Sequence, residues 1–553
     1  MTTRQRVAVV TGGGGGIGGA IAEELGRSDW FVVTVDPLVT LEGTEELPEP
    51  ATTTAGHIVA AGGSARASSA SVTDGNALRV LFQELAHERG GLDAVVNVAG
   101  ITRQSYFARG TEEDWQALLS VHLGGYLNVL DAALPLMAAA GHGRIVGVTS
   151  GSGWRAADAG GYSCAKRAVA ALTWELGRHA PPGVTVNALS PIANTRMVAA
   201  AFERARQEGR TGGGGGLTLD SMPGPEQLGP LGAHLVEDAF AWCTGQVVFA
   251  SGPEVAIVGQ PRLLEAVRTT GATSLRTLLQ KFVPRALVKA ETNQASAGGG
   301  NPRFGSVFDE PAPDLVPLAT ARSCVVVDGR PQLAGPLVAA LEARSIACHR
   351  VEAGHGFAGA ADQLRAVVDT AGPIDSIVLA LEGHRPTVTT EDRWEWILSD
   401  HQGIVEHLHA DAAWARAATD YAALADRPVQ LVTLTEAVSP AGRTRAQAAA
   451  QLARAAASGT AGRVTAFAAS IEAPDADAGP VVGELVGHLF AEPEAAALAG
   501  AELVVGPGWL GLRSHPRPLG TVTYGGPAVP AWLDATLQDM VDAGDPPRQI
   551  EAR

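Results

Sequence analysis

Lysine is scarce in this sequence. Only three of the 41 basic residues are lysines, at positions 166, 281 and 289, and the other 38 are arginines (41 less 3). Arginine cannot replace lysine where a site needs a compact ammonium rather than a planar guanidinium. Lys166, which has no other lysine before it in the chain, is therefore a candidate functional residue.

Cysteines and long apolar runs are also few. The four cysteines, at 164, 243, 324 and 348, have no disulfide or metal-ligand spacing, so we expect no metal site. The sequence contains no signal-peptide pattern and no uninterrupted apolar run long enough to span a membrane, so we expect no membrane attachment and a cytoplasmic location. The net charge of −17, without a basic stripe, argues against nucleic-acid binding.

Tyr162 and Lys166 are one helical turn apart, and Ser150 lies shortly before them in the chain. On a helix this spacing brings the ammonium close to the phenol, where a cation lowers the phenol's pKa and allows proton exchange near neutral pH. An ordinary amphipathic helix is the alternative, because a tyrosine–lysine pair at this spacing is weak evidence by itself. The neighbouring motifs decide between the two.

The first 25 residues have the order of a dinucleotide-binding unit. Residues 7–10 are a Val-Ala-Val-Val strand, residues 12–19 form a glycine-rich turn, and residues 20–25 are typical of a helix. Glycines allow the backbone to approach a pyrophosphate, which also meets free N–H groups at the helix N-terminus. A merely flexible glycine loop is the alternative. Four residues of this turn are predicted to bind the cofactor: Gly12, Gly16, Ile17 and Gly18.

Two later strand ends extend the predicted nucleotide site. The second strand ends at Asp36, whose carboxylate can accept hydrogen bonds from the adenosine ribose and repel a 2′-phosphate, so NAD is favoured over NADP. A simple turn residue is the alternative role for this aspartate. Another buried strand ends at Asn97, which can tie neighbouring strands together, and is followed by Ala99 and Gly100, which leave room for the cofactor.

In this order and spacing the motifs resemble those of the short-chain dehydrogenase/reductase family, over about residues 5–260. The resemblance implies a Rossmann-type fold and hydride transfer between an alcohol or ketone and a nicotinamide cofactor. It also implies that Tyr162 is the general acid/base and that Lys166 lowers its pKa and holds the nicotinamide ribose. By the same resemblance, Ser150 hydrogen-bonds the substrate oxygen.

A narrower resemblance is to the dehydrogenase part of peroxisomal multifunctional enzyme type 2. It rests on residues 100–103, 107–108, 115–123 and 194–197. It implies oxidation of (3R)-3-hydroxyacyl-CoA with NAD, and a contact between Thr195 and the nicotinamide carboxamide. It also places His122 where most of the family has the asparagine of a catalytic tetrad, so His122 is a candidate catalytic residue. A packing histidine is the alternative.

The rest of the chain repeats parts of the first half. Trp115 and His122 recur as Trp394 and His401, at an offset of 279, and two strand segments recur at offsets of 280 and 282. The catalytic residues do not recur: Asn97, for example, corresponds to Leu379. This pattern predicts that the second half is a copy that retains the fold but lacks the catalytic residues.

We therefore predict an α/β protein with two tandem, doubly wound Rossmann-type domains of parallel strands. Residues 1–288 form the catalytic domain with the NAD site, 289–318 a linker, and 319–553 a degenerate, inactive copy. Members of the family pair through two long helices, so we expect the copy to cover that apolar surface as an intrachain pseudo-dimer, alone or within a larger homo-oligomer. Two separate domains on a linker are the alternative.

The leading functional prediction is an NAD-dependent oxidoreductase that interconverts a secondary alcohol and a ketone, with a 3-hydroxyacyl thioester as substrate by resemblance. A ketoreductase that tailors a polyketide or a steroid is the second prediction, because no residue separates these small-molecule substrates. A non-enzymatic NAD sensor or scaffold is the third. The intact Ser150, Tyr162 and Lys166 disfavour it, since a scaffold does not need them.

Overall fold

Two large, mostly parallel sheets with helices packed against them make up the protein. The structure is a computed structural model that describes residues 4–48, 50, 52–105, 107–207, 219–271, 274–294, 320–383 and 393–544. Strands such as Val7–Thr11 are buried along their whole length, which is typical of parallel strands covered on both faces. The arrangement confirms the predicted α/β class.

Nine strands form the first sheet: β1 (Val7–Thr11), β2 (Phe31–Val35), β3 (Ser64–Ser68), β4 (Ala94–Asn97), β5 (Gly143–Val148), β6 (Val184–Pro191), β7 (Val247–Ser251), β8 (Glu254–Gly259) and β17 (Arg517–Thr523). Their order is β17-β8-β7-β6-β5-β4-β1-β2-β3, in which β8 runs antiparallel to both of its neighbours, β7 and β17, and the other pairs are parallel. The strand order reverses between β1 and β4. In open α/β sheets this switch point opens a ligand crevice at the carboxyl ends of the strands.

Helices of the first half follow the strands in alternation. They are α1 (Gly16–Arg27), α2 (Thr54–Ala60), α3 (Gly75–Arg89), α4 (Glu112–Leu119), α5 (Gly125–Ala140), α6 (Gly160–His179), α7 (Arg196–Gln207) and α8 (Gly229–His234). A wider π turn, Ser120–Gly124, joins α4 to α5, and short 3₁₀ turns lie at Gly151–Gly153, Leu219–Ser221, Pro225–Gln227 and Asp238–Phe240. Glu112–Ala140 is thus one continuous helical stretch. It is long and apolar enough to cross a membrane by length and composition, but 61% of its most apolar window is buried inside the protein.

The second sheet has eight strands: β9 (Leu263–Arg268), β10 (Ser323–Asp328), β11 (Ala347–Val351), β12 (Ser376–Ala380), β13 (Val429–Glu436), β14 (Val464–Ile471), β15 (Glu502–Gly506) and β16 (Trp509–Arg513). Their order is β11-β10-β12-β13-β14-β15-β16-β9. This matches the first sheet strand for strand, except that the described residues provide no equivalent of β3.

The helices of the second sheet are α9 (Leu275–Phe282), α10 (Val288–Thr292), α11 (Pro331–Glu342), α12 (Gly356–Ala371), α13 (Trp394–Asp400), α14 (Ile404–Leu424), α15 (Pro440–Gly459) and α16 (Asp475–Ala491). A π turn, Val283–Leu287, joins α9 to α10, and a 3₁₀ turn spans Pro493–Leu498. The last helix, α17 (Leu533–Gly544), packs instead against β8 and β17 of the first sheet.

The two halves exchange their edge strands. β9 follows β8 in the chain but pairs with β16, and β17 follows β16 but pairs with β8. The two crossing segments meet where Ser514 N donates to Arg262 O at 2.7 Å and Arg262 N donates to Ser514 Oγ at 2.9 Å. The exchange was not predicted. As units, residues 1–288, 289–318 and 319–553 stay predictions; residues 289–292 lie in α10, and 295–318 of the expected linker lie outside the described residues.

Long helices of the two halves pack against each other. α6 lies along α15, and α4 contacts α14, so the four form a bundle between the sheets. Arg167 on α6 is fully buried and donates two hydrogen bonds, of 3.0 and 2.8 Å, to Oε1 of Gln447, which lies 280 residues later. Arg443 on α15 forms an ion pair with Glu175 on α6. The contact between the halves is therefore both apolar and polar.

Candidate active site

The glycine-rich turn between β1 and α1 packs closely against the end of β4. Gly12 has a left-handed backbone with φ of 66°, and a Cβ there would lie only 2.8 Å from Ala99 N. Gly16 also has a positive φ, of 55°, and a Cβ on it would have no neighbour within 4 Å. Gly12 is thus required by packing, while Gly16 faces open space at the start of α1, where backbone N–H groups can meet an anion.

Asp36 lies directly beside this turn. Its carboxylate accepts hydrogen bonds from Gly14 N at 3.0 Å and Leu38 N at 2.9 Å. A Cβ on Gly14 would lie 2.6 Å from Asp36 Oδ2. The carboxylate is therefore fixed next to the predicted phosphate-binding backbone. It also stabilises the turn after β2, so a role as turn residue is compatible with a role in binding the adenosine ribose.

Asn97 is buried at the end of β4, where its Oδ1 accepts a hydrogen bond of 2.6 Å from Thr11 Oγ1. Ala99 N donates to the same threonine hydroxyl at 3.3 Å. This confirms a strand-tying position for Asn97, because Thr11 and Asn97 are register partners on neighbouring strands. Gly100 follows, and a Cβ there would lie 2.5 Å from the ring of His122.

Ser150, Tyr162 and Lys166 come together after β5 and in the first turns of α6. Ser150 hydrogen-bonds to the Tyr162 hydroxyl, and Lys166 Nζ lies 5.7 Å from the centre of the tyrosine ring. Nζ donates to Val148 O at 2.6 Å. Lys166 is only 4% exposed, and its burial lowers its pKa to about 7.

The pKa of Tyr162 differs from the sequence-based expectation. Burial raises this pKa above its ordinary value, and the hydrogen bond from Ser150 lowers it only in part. The expected lowering of this pKa is wrong for this structure, because removal of the phenol from water dominates it.

His122 lies in the π turn, a feature that is frequent at functional sites. Its Nε2 lies 2.9 Å from Ile101 O and 3.3 Å from Ile101 N, and the shorter contact is the one in which Nε2–H donates. Its ring meets that of Tyr162 edge to face at 5.1 Å. Burial, together with the charge of Lys166, lowers its pKa to about 3. His122 is therefore neutral, and its buried Nδ1 has no hydrogen-bond partner in the described part of the chain.

The remaining predicted residues lie around the same crevice. Thr195 accepts a hydrogen bond of 3.2 Å from Val198 N and so caps the start of α7. Arg196 approaches the glycine turn: its guanidinium would lie 3.9 Å from a Cβ on Gly15. Ile17 packs partly buried against the core of the first sheet. The loop after β6 and the glycine turn thus approach each other, and the open space and free N–H groups at Gly16 fit the pyrophosphate of a dinucleotide.

Sequence reasoning missed several residues that shape this site. Thr149 Oγ1 donates to Lys166 O at 2.5 Å and ties the end of β5 to α6. Asp158 accepts hydrogen bonds from Phe107 N at 3.0 Å and Gly160 N at 2.9 Å, which joins two loops beside Ser150. Gln451 contacts the same region from the second half. Thr149 could have been found from its position at a strand end, whereas nothing local marks Gln451.

The equivalent place in the second half has different residues. Positions 280 residues after Tyr162 and Lys166 are Gly442 and Ala446. Arg330, at the counterpart of the glycine turn, forms an ion pair with Asp475 and donates to Leu434 O at 3.3 Å. A small cavity at this place is lined by Gly383, Asp400, Ile404, His407, Glu436, Ala441, Gly442 and Arg445. These residues do not reproduce a tyrosine–lysine pair.

Comparison with known proteins gives consistent matches to the first half. The family described as short chain dehydrogenase matches residues 6–206. Nodulation protein G of Azospirillum brasilense is 31% identical over 256 residues, which is 45% of this chain and 97% of that protein. The hydroxyacyl-CoA dehydrogenase ChsB1 of Mycobacterium tuberculosis is 32% identical over 47% of this chain and 81% of that protein.

A third relative matches the narrower resemblance. The peroxisomal hydratase-dehydrogenase-epimerase of Saccharomyces cerevisiae is 32% identical over 199 residues, which is 36% of this chain and 22% of that protein. Both resemblances stated from the sequence are thus confirmed for the N-terminal half. The chain belongs to the short-chain dehydrogenase family and is an oxidoreductase of CH–OH groups that uses a nicotinamide cofactor.

Proposed function

We propose that this protein interconverts a 3-hydroxyacyl and a 3-ketoacyl thioester with NAD(H) as cofactor. The observation that carries the proposal is the hydrogen-bonded Ser150–Tyr162 pair with Lys166 buried beside it, next to the switch-point crevice. Relatives named as hydroxyacyl-CoA dehydrogenase and acetoacetyl-CoA reductase support the thioester class.

Each side chain has a distinct part in the proposed reaction. Tyr162 takes the proton of the substrate hydroxyl during oxidation and returns it to the substrate oxygen during reduction. Ser150 donates a hydrogen bond to that oxygen, where negative charge develops. When bound, the nicotinamide accepts or supplies the hydride. Because burial raises the pKa of Tyr162, its phenol carries a proton at neutral pH, which favours reduction there.

Lys166 and His122 support the tyrosine. The Lys166 ammonium stabilises a phenolate electrostatically, and its hydrogen bond to Val148 O fixes its position. His122 is proposed as a proton-relay residue, because its neutral ring touches Tyr162 and its buried Nδ1 can accept a hydrogen bond from a water. Removal of either residue is expected to lower the rate of proton transfer.

NAD is the proposed cofactor, rather than NADP, because Asp36 is a fixed negative charge beside the turn that would carry the adenosine phosphates. The glycine turn, with Gly12, Gly16 and Gly18, is proposed to hold the pyrophosphate, and Thr195 the carboxamide. Lys166 would also contact the nicotinamide ribose, since it lies between Tyr162 and the end of β5.

The second half is proposed to be catalytically inert and to serve as an intrachain partner. Gly442 and Ala446 stand where a tyrosine and a lysine would be needed, and the helices α6 and α15 already cover each other. A cytoplasmic location belongs to the same proposal.

The first test is absorbance at 340 nm with purified protein, NADH or NADPH, and four ketones: acetoacetyl-CoA, a longer 3-ketoacyl-CoA, a ketosteroid and a bicyclic ketone. We expect NADH oxidation with a thioester, and its loss in Tyr162→Phe. Turnover of cyclic ketones alone would replace the thioester by the polyketide or steroid class. NADH binding without turnover of any ketone would favour the sensor or scaffold.

A further inference from the structure

Two loops form the walls beside Ser150 and Tyr162. One contains residues 105 and 107–110, and the other is residues 151–159, which connects Ser150 to the helix that carries Tyr162. Asp158 joins them by accepting hydrogen bonds from Phe107 N, and Gly161 N donates to Ser105 O at 2.8 Å. The position of these loops therefore sets where a substrate oxygen can meet the two hydroxyls.

Gln451 reaches the second of these loops from the other half of the chain. It lies on α15, is fully buried, and its Nε2 donates to Ser152 O at 3.2 Å and to Arg155 O at 2.9 Å. Its Oε1 accepts a hydrogen bond of 3.4 Å from Arg167, the neighbour of Lys166. Both donors of the amide are used by loop carbonyls, so the side chain has little freedom to point elsewhere.

Other side chains of the second half also donate hydrogen bonds to carbonyl oxygens of the same two loops. Ser458 Oγ donates to Ala156 O at 3.0 Å, and Arg416 donates to Gly110 O at 2.8 Å. The backbone also comes close, since a Cβ on Gly459 would lie 2.6 Å from Asp158 Oδ2. The two loops are thus held in place by side chains of the other half, which lie about 300 residues later in the chain.

We propose that the second half positions the active-site walls of the first, with Gln451 as the principal positioning residue. This deepens the proposed function and rests on it. Loop carbonyls that lose their donors must find others or remain unsatisfied in a buried place, so the loop shifts. A displacement of about 1 Å at a reacting group can lower a rate by about a hundredfold. The degenerate half is therefore part of the working site although it touches no substrate.

The test compares two methionine variants on α15 in the full-length protein. Gln451→Met keeps the length of the side chain but removes the donors to Ser152 O and Arg155 O. Arg443→Met removes another contact between the halves, the ion pair with Glu175, two turns earlier and away from the loops. We expect Gln451→Met to lower kcat/KM for the ketone about tenfold, with an unchanged Kd for NADH, and Arg443→Met to leave both unchanged at similar Tm. Ser458→Ala, a milder change, should lower kcat/KM in the same direction.

Hydrogen–deuterium exchange of the peptide spanning 151–160 provides a readout that does not need turnover. Faster exchange of this peptide in Gln451→Met than in Arg443→Met supports the proposal. Equal exchange in both variants, or equal loss of kcat/KM in both, overturns it, because the contact would then be only structural. If the wild type reduces no thioester, the proposed function fails on that result alone, while the exchange experiment still decides whether the loop depends on Gln451.

Discussion

Replacement of Lys166 by methionine should make the protein more stable at low pH while it destroys activity. The ammonium is 4% exposed, and burial lowers its pKa from the ordinary 10.5 to about 7. This difference of about 3.5 pKa units corresponds to about 5 kcal/mol that burial of the charge costs the folded state. Methionine is of similar length and carries no charge, so the variant avoids this cost.

Part of the gain is offset at Val148. Its carbonyl accepts the 2.6 Å hydrogen bond from Lys166 Nζ, and loss of that donor in a buried place costs about 1–3 kcal/mol. The net stabilisation of Lys166→Met at pH 6 is therefore about 2–4 kcal/mol. Activity should fall at least about a hundredfold, because Tyr162 loses the cation that favours its phenolate.

The pH dependence follows from the sign of the pKa difference. Below pH 7 the lysine is charged in both the folded and the unfolded chain, and the folded state bears the full cost. Between about 7 and 10.5 the unfolded chain binds more protons than the folded one, so the stability of the wild type rises with pH. At pH 9 a cost of about 2 kcal/mol remains, which the loss at Val148 cancels, so the two proteins should then be about equally stable.

Urea unfolding at pH 6 and pH 9, followed by circular dichroism, measures the difference, and equal slopes for the two proteins permit the comparison of midpoints. The reasoning fails if Lys166→Met is less stable than the wild type at pH 6, or if the difference is the same at both pH values. The 340 nm assay on the same samples checks the loss of activity.

Three further outcomes are expected. The kcat/KM for ketone reduction should fall as the pH rises through about 7, because the Lys166 ammonium loses its proton there; a constant value up to pH 9 would contradict this. In Asp36→Asn, the ratio of kcat/KM with NADH to kcat/KM with NADPH should fall by about tenfold or more, because the negative charge that repels a 2′-phosphate is removed. Gly100→Ala should lower kcat by about tenfold or more, since its methyl group would lie 2.5 Å from the confined His122 ring. Gly124→Ala is the control and should keep its activity. Gly124 lies in the same π turn as His122, and a Cβ there would lie 3.6 Å from its nearest neighbour.

Local patterns predicted the elements that depend on local physics. The Val-Ala-Val-Val strand, the glycine turn and the helix after it form where expected, because burial, positive φ and free N–H groups are determined by adjacent residues. Ser150, Tyr162 and Lys166 also come together as the motif predicts, since one strand end and one helix place all three.

Long-range features could not be predicted in the same way. β9 and β17 are short edge strands, and nothing in either sequence says which of two similar sheet edges it joins. The raised pKa of Tyr162 depends on how much protein covers the ring, which a motif does not encode. Gln451 on the second half meets the loop after Ser150 only through the packing of α6 on α15, so its contact appears in no local pattern.

The exchange of β9 and β17 makes the two halves depend on each other for cohesion. If the first half unfolds, the second sheet loses β9 and the helices α9 and α10 that pack against it. If the second half unfolds, the first sheet loses β17 and the helix α17. Separate halves would each expose an unpaired sheet edge and an uncovered apolar face. Although the chain is long, it should therefore unfold in one cooperative transition, and neither half should remain folded when the other is deleted.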